Sequence, residues 1–81
     1  MKVWVGNLAP EVSAEEVKQL LEKYGFPEPK SVLAVPGEGN QPGMVVEFQN
    51  VNREFIRQQI ERINGLYWKG HLTSVTVLPH F

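Results

Sequence analysis

Val3-Trp4-Val5-Gly6-Asn7-Leu8 is the stretch whose reading decides the fold of this chain. Valines flank one large aromatic, and a Gly-Asn pair ends the run. Alternation with period 2 predicts a strand with Val3 and Val5 on one face and Trp4 on the other. With the valines turned towards a core, Trp4 stands on the open side of a sheet. There it is either covered by another part of the chain or kept for a ligand.

The next segments alternate in type. Ala9-Pro10-Glu11-Val12 reads as a loop, because Pro10 disfavours helix at Ala9. Ser13 stands three residues before Glu16, a capping box in which hydroxyl and carboxylate each satisfy an orphan amide. Glu15 and Glu16 suit the positive end of the helix dipole. Val17, Leu20, Leu21 and Tyr24 then form one apolar stripe, and Gly25, Pro27 and Pro29 end the helix.

Lys30 to Val35 is a β-branched run, predicted as a second strand. Its facing is open: Val32 and Ala34 point inward with Leu33 and Val35 outward, or the reverse. Pro36 to Pro42 is turn chemistry, and its Gly37-Glu38-Gly39 has no phosphate-loop spacing after it. Gly43 to Phe48 is a third strand, with Met44, Val46 and Phe48 on one face and Gly43, Val45 and Glu47 on the other.

Asn50 or Asn52 caps a second helix carrying Ile56, Ile60 and Ile63, and Asn64-Gly65 ends it. Leu66-Tyr67-Trp68 is an apolar connector closed by Lys69-Gly70. Thr73, Val75 and Val77 alternate with Ser74, Thr76 and Leu78 in a last strand, and Pro79-His80-Phe81 is a tail.

Composition narrows the function classes. The 81 residues suffice for one domain with a modest core. The absence of cysteine removes disulfides, thiolate metal sites and a cysteine nucleophile. His71 and His80 have no metal-ligand spacing, so neither a metal nor a cofactor is expected. No apolar run has the length of a membrane span, and the N-terminus has no signal-peptide pattern. The expectation is an intracellular, cytoplasmic protein, with a nuclear location left open. Eight Lys+Arg against nine Asp+Glu give a formal charge of −1, where strong nucleic-acid binders carry a basic excess. With no activated nucleophile and no paired acid and base, the chain reads as non-enzymatic.

The order β-α-β-β-α-β is the split βαβ pattern of α+β, ferredoxin-like folds. Right-handed crossovers place the first and third strands in the middle of a four-stranded antiparallel sheet with both helices on one face. Trp4 and Val45 then lie near each other on the open face.

Val3 to Leu8 resembles the first-strand signature of the RNA recognition motif (RRM) family: aliphatic, aromatic, aliphatic, any, Asn, Leu. The resemblance continues through the capped helix from Ser13 to Gly25. It returns at Ile60, Ile63, Asn64, Gly65 and Gly70, and so spans residues 1–81 as a single RRM-like domain. The third-strand signature departs from it. Gln41-Pro42-Gly43-Met44-Val45-Val46-Glu47-Phe48 has Gln41 at the basic position, and Gly43 and Val45 where the family's two stacking aromatics stand.

The resemblance implies single-stranded RNA binding through the open sheet face. Trp4 is the one remaining stacking aromatic, Lys2 attracts phosphate, and Val45, Thr76, Leu78, His80 and Phe81 complete the surface. Stacking contributes roughly 1–3 kcal/mol per base, so the loss of two platforms makes the expected affinity weak. Putting the aromatics back, as Gly43→Tyr and Val45→Phe, is expected to tighten it. Asn7 is expected to hold the loop after the first strand. The alternative is an RRM-fold module that binds a protein through the same apolar face or the helical back. A protein-binding branch of the family carries Arg-x-Phe at Leu66-Tyr67-Trp68; the Arg is missing here, although Trp68 stands at the Phe position. Tyr67 and Trp68 are expected at the edge of the core, Phe55 half-buried, and His71 at the surface.

Overall fold

A computed structural model describes residues 1–35 and 43–78. The elements follow as β1 (Lys2–Gly6), α1 (Ala14–Lys23), β2 (Ser31–Val35), β3 (Gly43–Glu47) and α2 (Arg53–Ile63). After these come β4 (Tyr67–Trp68), β5 (His71–Leu72) and β6 (Ser74–Val77). Four strands form one antiparallel sheet in the order β2-β3-β1-β6, while β4 and β5 make a separate hairpin.

Both helices start where their side chains cap them. Glu16 N–H donates to Ser13 Oγ at 3.2 Å, and Ser13 N–H donates to Glu16 Oε1 at 3.1 Å, which completes the capping box. Asn52, not Asn50, caps α2 by accepting from Phe55 N–H at 3.1 Å. Asn64 then ties the end of α2 to the sheet, its Oδ1 accepting from Val75 N–H at 3.1 Å.

The core lies between the helices and one face of the sheet. Val3 and Val5 of β1, Met44 and Val46 of β3 and Val75 of β6 are buried against Val17 and Leu21 of α1 and Ile56, Ile60 and Ile63 of α2. Phe48 stacks on Phe26 with ring centroids 5.9 Å apart, closing one end of this layer. Burial of a large aliphatic or aromatic side chain contributes roughly 1.5–3 kcal/mol, so this double layer supplies the driving force that orients the sheet.

The register settles the facing of β2. Val32 pairs with Val46 and Ala34 with Met44, both core residues of β3. Directly opposed residues share a face, so Val32 and Ala34 turn to the helices and Leu33 and Val35 to the open side.

One segment differs from the connector expected at 66–70. Tyr67 pairs with Leu72 and Trp68 with His71, across a two-residue turn at Lys69 and Gly70. Both turn residues have left-handed φ, +50° and +84°. That is the type I′ geometry that matches the twist of a tight hairpin.

Candidate nucleic-acid interface on the open sheet face

Alternation in the four strands puts three rows of side chains on the face opposite the helices. The middle row runs Leu33, Val45, Trp4, Thr76 across β2, β3, β1 and β6. On one side of it lie Ser31, Glu47 and Lys2; on the other lie Val35, Gly43, Gly6 and Ser74. The register puts Lys2, Trp4, Val45 and Thr76 on this one face. Leu78 follows them, its N–H donating to Lys2 O at 2.9 Å, so it extends the β1–β6 ladder by one step. His80 and Phe81 lie outside the described residues, as do residues 36–42, where the sequence predicts a turn.

Trp4 is half-buried, although neither helix is near that face. Its indole lies across two glycines. A Cβ placed on Gly43 would overlap Trp4 Cζ2 and Cη2 and stand 3.0 Å from Cε2. A Cβ on Gly6 would overlap Nε1 and stand 3.1 Å from Cε2. Both glycines are buried, and on the open side the ring covers them. Gly43 is therefore the room that the bicyclic ring needs. A side chain at 43, including the tyrosine of Gly43→Tyr, meets the Trp4 ring and not open space, which runs against the gain expected from that substitution.

The electrostatics of the face are balanced. Lys2 is exposed and sits directly opposite Glu47. Glu47 also meets Lys30 Nζ at 3.4 Å. A phosphate approaching Lys2 encounters a carboxylate at the neighbouring position, so the local attraction is small and readily screened. Among the described residues, Trp4 is the only aromatic on this face; Phe26 and Phe48 belong to the core.

Asn7 ends β1 in a left-handed conformation, φ +57°, and its Nδ2 donates to Leu72 O at 2.8 Å. It holds the loop against β5, as expected. Trp68 packs against the core, with His71 half-buried opposite it, whereas Tyr67 is 70 % exposed. Phe55, expected half-buried, is 41 % exposed on α2.

A concavity of about 390 Å³ lies between α1 and the β4–β5 hairpin, lined among others by Glu16, Tyr24, Trp68 and Lys69. Lys69 spans it, paired with the Glu16 carboxylate and lying 5.7 Å from the centroid of the Trp68 ring. The Lys69 ammonium, followed by the Ser13 N–H, holds the Glu16 carboxyl below the usual carboxylate range. This groove was not visible in the sequence, since it depends on the hairpin folding back to α1. Among the described residues, no group of three or more His, Asp or Glu side chains could hold a metal ion. No helix described is long and apolar enough to cross a membrane.

No protein-family model and no curated protein matches the sequence. Solved structures do match the fold. The chain is similar to the RRM3 domain of Mip6, with 24 % identity over 93 % of this chain and 88 % of that one, at a TM-score of 0.75. It is also similar to Pes4 RRM3, with 18 % identity over 99 % and 93 % of the two chains, at a TM-score of 0.79. Strand order, helix placement and these neighbours agree: the protein is an RRM-like domain in fold, α+β and ferredoxin-like.

Proposed function

We propose that this domain binds single-stranded RNA weakly through its open sheet face, with the Trp4 indole as the stacking surface. The observation that supports this most is the placement of Trp4 across Gly6 and Gly43. Core packing does not require an indole there, and two glycines make space for it. Val45 and Thr76 flank the ring in register, and exposed Leu33 extends the row. One base stacked on one ring contributes roughly 1–3 kcal/mol. With the balanced Lys2–Glu47 pair beside it, affinity for a short RNA falls at about tens of micromolar to millimolar.

The test is chemical-shift mapping with a pool of short single-stranded RNAs. Shifts centred on the Trp4 indole N–H, Val45 and Thr76 support the reading. The absence of any shift at about millimolar RNA excludes it, as that concentration corresponds to only about 4 kcal/mol. Protein binding is the second reading, favoured by the exposed cross-strand pair Tyr67 and Leu72, at 70 % and 59 % exposure. Shifts with RNA confined to that hairpin and Phe55 count for it. We assign the domain no enzymatic role.

A further inference from the structure

β2 forms one edge of the four-stranded sheet, and among the described elements none pairs with its outer side. An edge strand presents a row of unpaired N–H and C=O groups, and natural edges are usually blunted by a charge or a proline within the strand. Ser31-Val32-Leu33-Ala34-Val35 has neither. Its central residue, Leu33, is 65 % exposed, and Ser31 and Ala34 are exposed as well. The opposite edge, β6, differs: its open-face positions are the polar Ser74 and Thr76.

We infer that the β2 edge pairs with β2 of a second copy of this chain, antiparallel about a two-fold axis at Leu33. A two-fold axis normal to the sheet imposes antiparallel pairing and opposes Leu33 to the partner's Leu33. Val32 then meets the partner's Ala34, a large residue against a small one on the helix side. Ser31 meets the partner's Val35 on the open side. No like charges oppose each other, and open-face residues remain with open-face residues. A five-residue strand pair buries well under the roughly 1,200–2,000 Å² of a stable interface. The dimer is accordingly weak, populated at about 0.1–1 mM chain.

The pairing itself needs no RNA; its consequence for the site rests on the reading above. Two four-stranded sheets become one, and the row Thr76, Trp4, Val45, Leu33 runs on into the second copy. Two indoles then share one face, five strand spacings or about 24 Å apart. A single RNA strand reaching both has the two platforms that one copy lacks.

The experiment is sedimentation velocity of the full chain without RNA, from about 10 µM to about 1 mM. Wild type is expected to shift from monomer towards dimer across this range. Leu33→Lys and Leu33→Glu, each alone, are expected to stay monomeric, because each sets like charges against each other at the axis. An equimolar mixture of the two is expected to regain the dimer. Leu33 is exposed, so both variants keep the wild-type circular dichroism. As a second reading, the chain has no cysteine, so Leu33→Cys should form a covalent dimer under mild oxidation much faster than Leu72→Cys. A wild type that remains monomeric overturns the inference. So does a dimer that persists in Leu33→Lys, or a mixture no more associated than its components. None of these results depends on whether RNA binds, which the shift mapping decides separately.

Discussion

The Trp4 indole occupies the space that a side chain at Gly43 would need, so an aromatic on β1 and a glycine on β3 act as one unit. Where the RRM pattern has an aromatic at the third-strand position, this chain has removed the side chain and laid a larger ring across it from the neighbouring strand.

The first expectation follows from that overlap. Gly43→Ala should push the indole off the sheet and cost about 1–3 kcal/mol, the range for overpacking a filled site. Gly43→Tyr should weaken RNA binding. A denaturant titration and the Trp4 indole N–H shift together check this. An unchanged midpoint with an unmoved indole resonance would show that the ring does not lie where described.

Trp4 and Phe48 should separate in magnitude. Phe48 is fully buried in the core and stacked on Phe26, so Phe48→Ala should cost about 3–5 kcal/mol. Trp4 lies across Gly6 and Gly43 on the open face and is half-buried, so Trp4→Ala should cost roughly 1–2 kcal/mol and abolish RNA shifts. Equal losses in urea unfolding would make Trp4 a core residue.

Glu47 should limit RNA affinity. It faces Lys2 across the β1–β3 ladder and meets Lys30. Glu47→Gln frees Lys30 and removes the carboxylate opposite Lys2, so binding should tighten several-fold, and the dependence on salt should steepen by about one to two ions. Titrations at two salt concentrations read both effects; a change in affinity with no change in slope would place the gain elsewhere.

Acid should loosen the contact between α1 and the hairpin. The Glu16 carboxyl is held below its ordinary range by Lys69 and by the Ser13 N–H. A carboxyl lowered on folding contributes stability that is present above its unfolded value and lost as pH falls through its folded value. Glu16→Gln should therefore lower stability at neutral pH and flatten the decline on the acid side. Thermal unfolding of both proteins across the acidic range checks the sign. Parallel curves would mean that the Lys69 pair contributes nothing.

Features set by neighbours in the chain are legible in the sequence. The Ser13–Glu16 capping box, the stripe Val17, Leu20, Leu21 and the Asn64-Gly65 stop are local patterns, and each lies where the pattern put it. The same holds for Val3 and Val5 against Trp4, because period 2 sorts a strand's faces without knowledge of its partner. The hairpin at Tyr67–Leu72 was readable in principle from Lys69-Gly70. The pair lacks the usual Asn or Asp, however, and Lys69 at φ +50° is an unusual residue for that position.

Other features belong to partners that are distant in sequence. Val32, Leu33, Ala34 and Val35 are all apolar, so alternation could not orient β2; opposition to Val46 and Met44 did. Gly43 read alone is a missing aromatic, and only the adjacency of β1 and β3 turns it into the seat of the Trp4 ring. Local preference acts over a few bonds and is written in the chain. The space beside a side chain is decided by whichever strand pairing lays next to it, and that pairing exists only once the sheet has closed on its core.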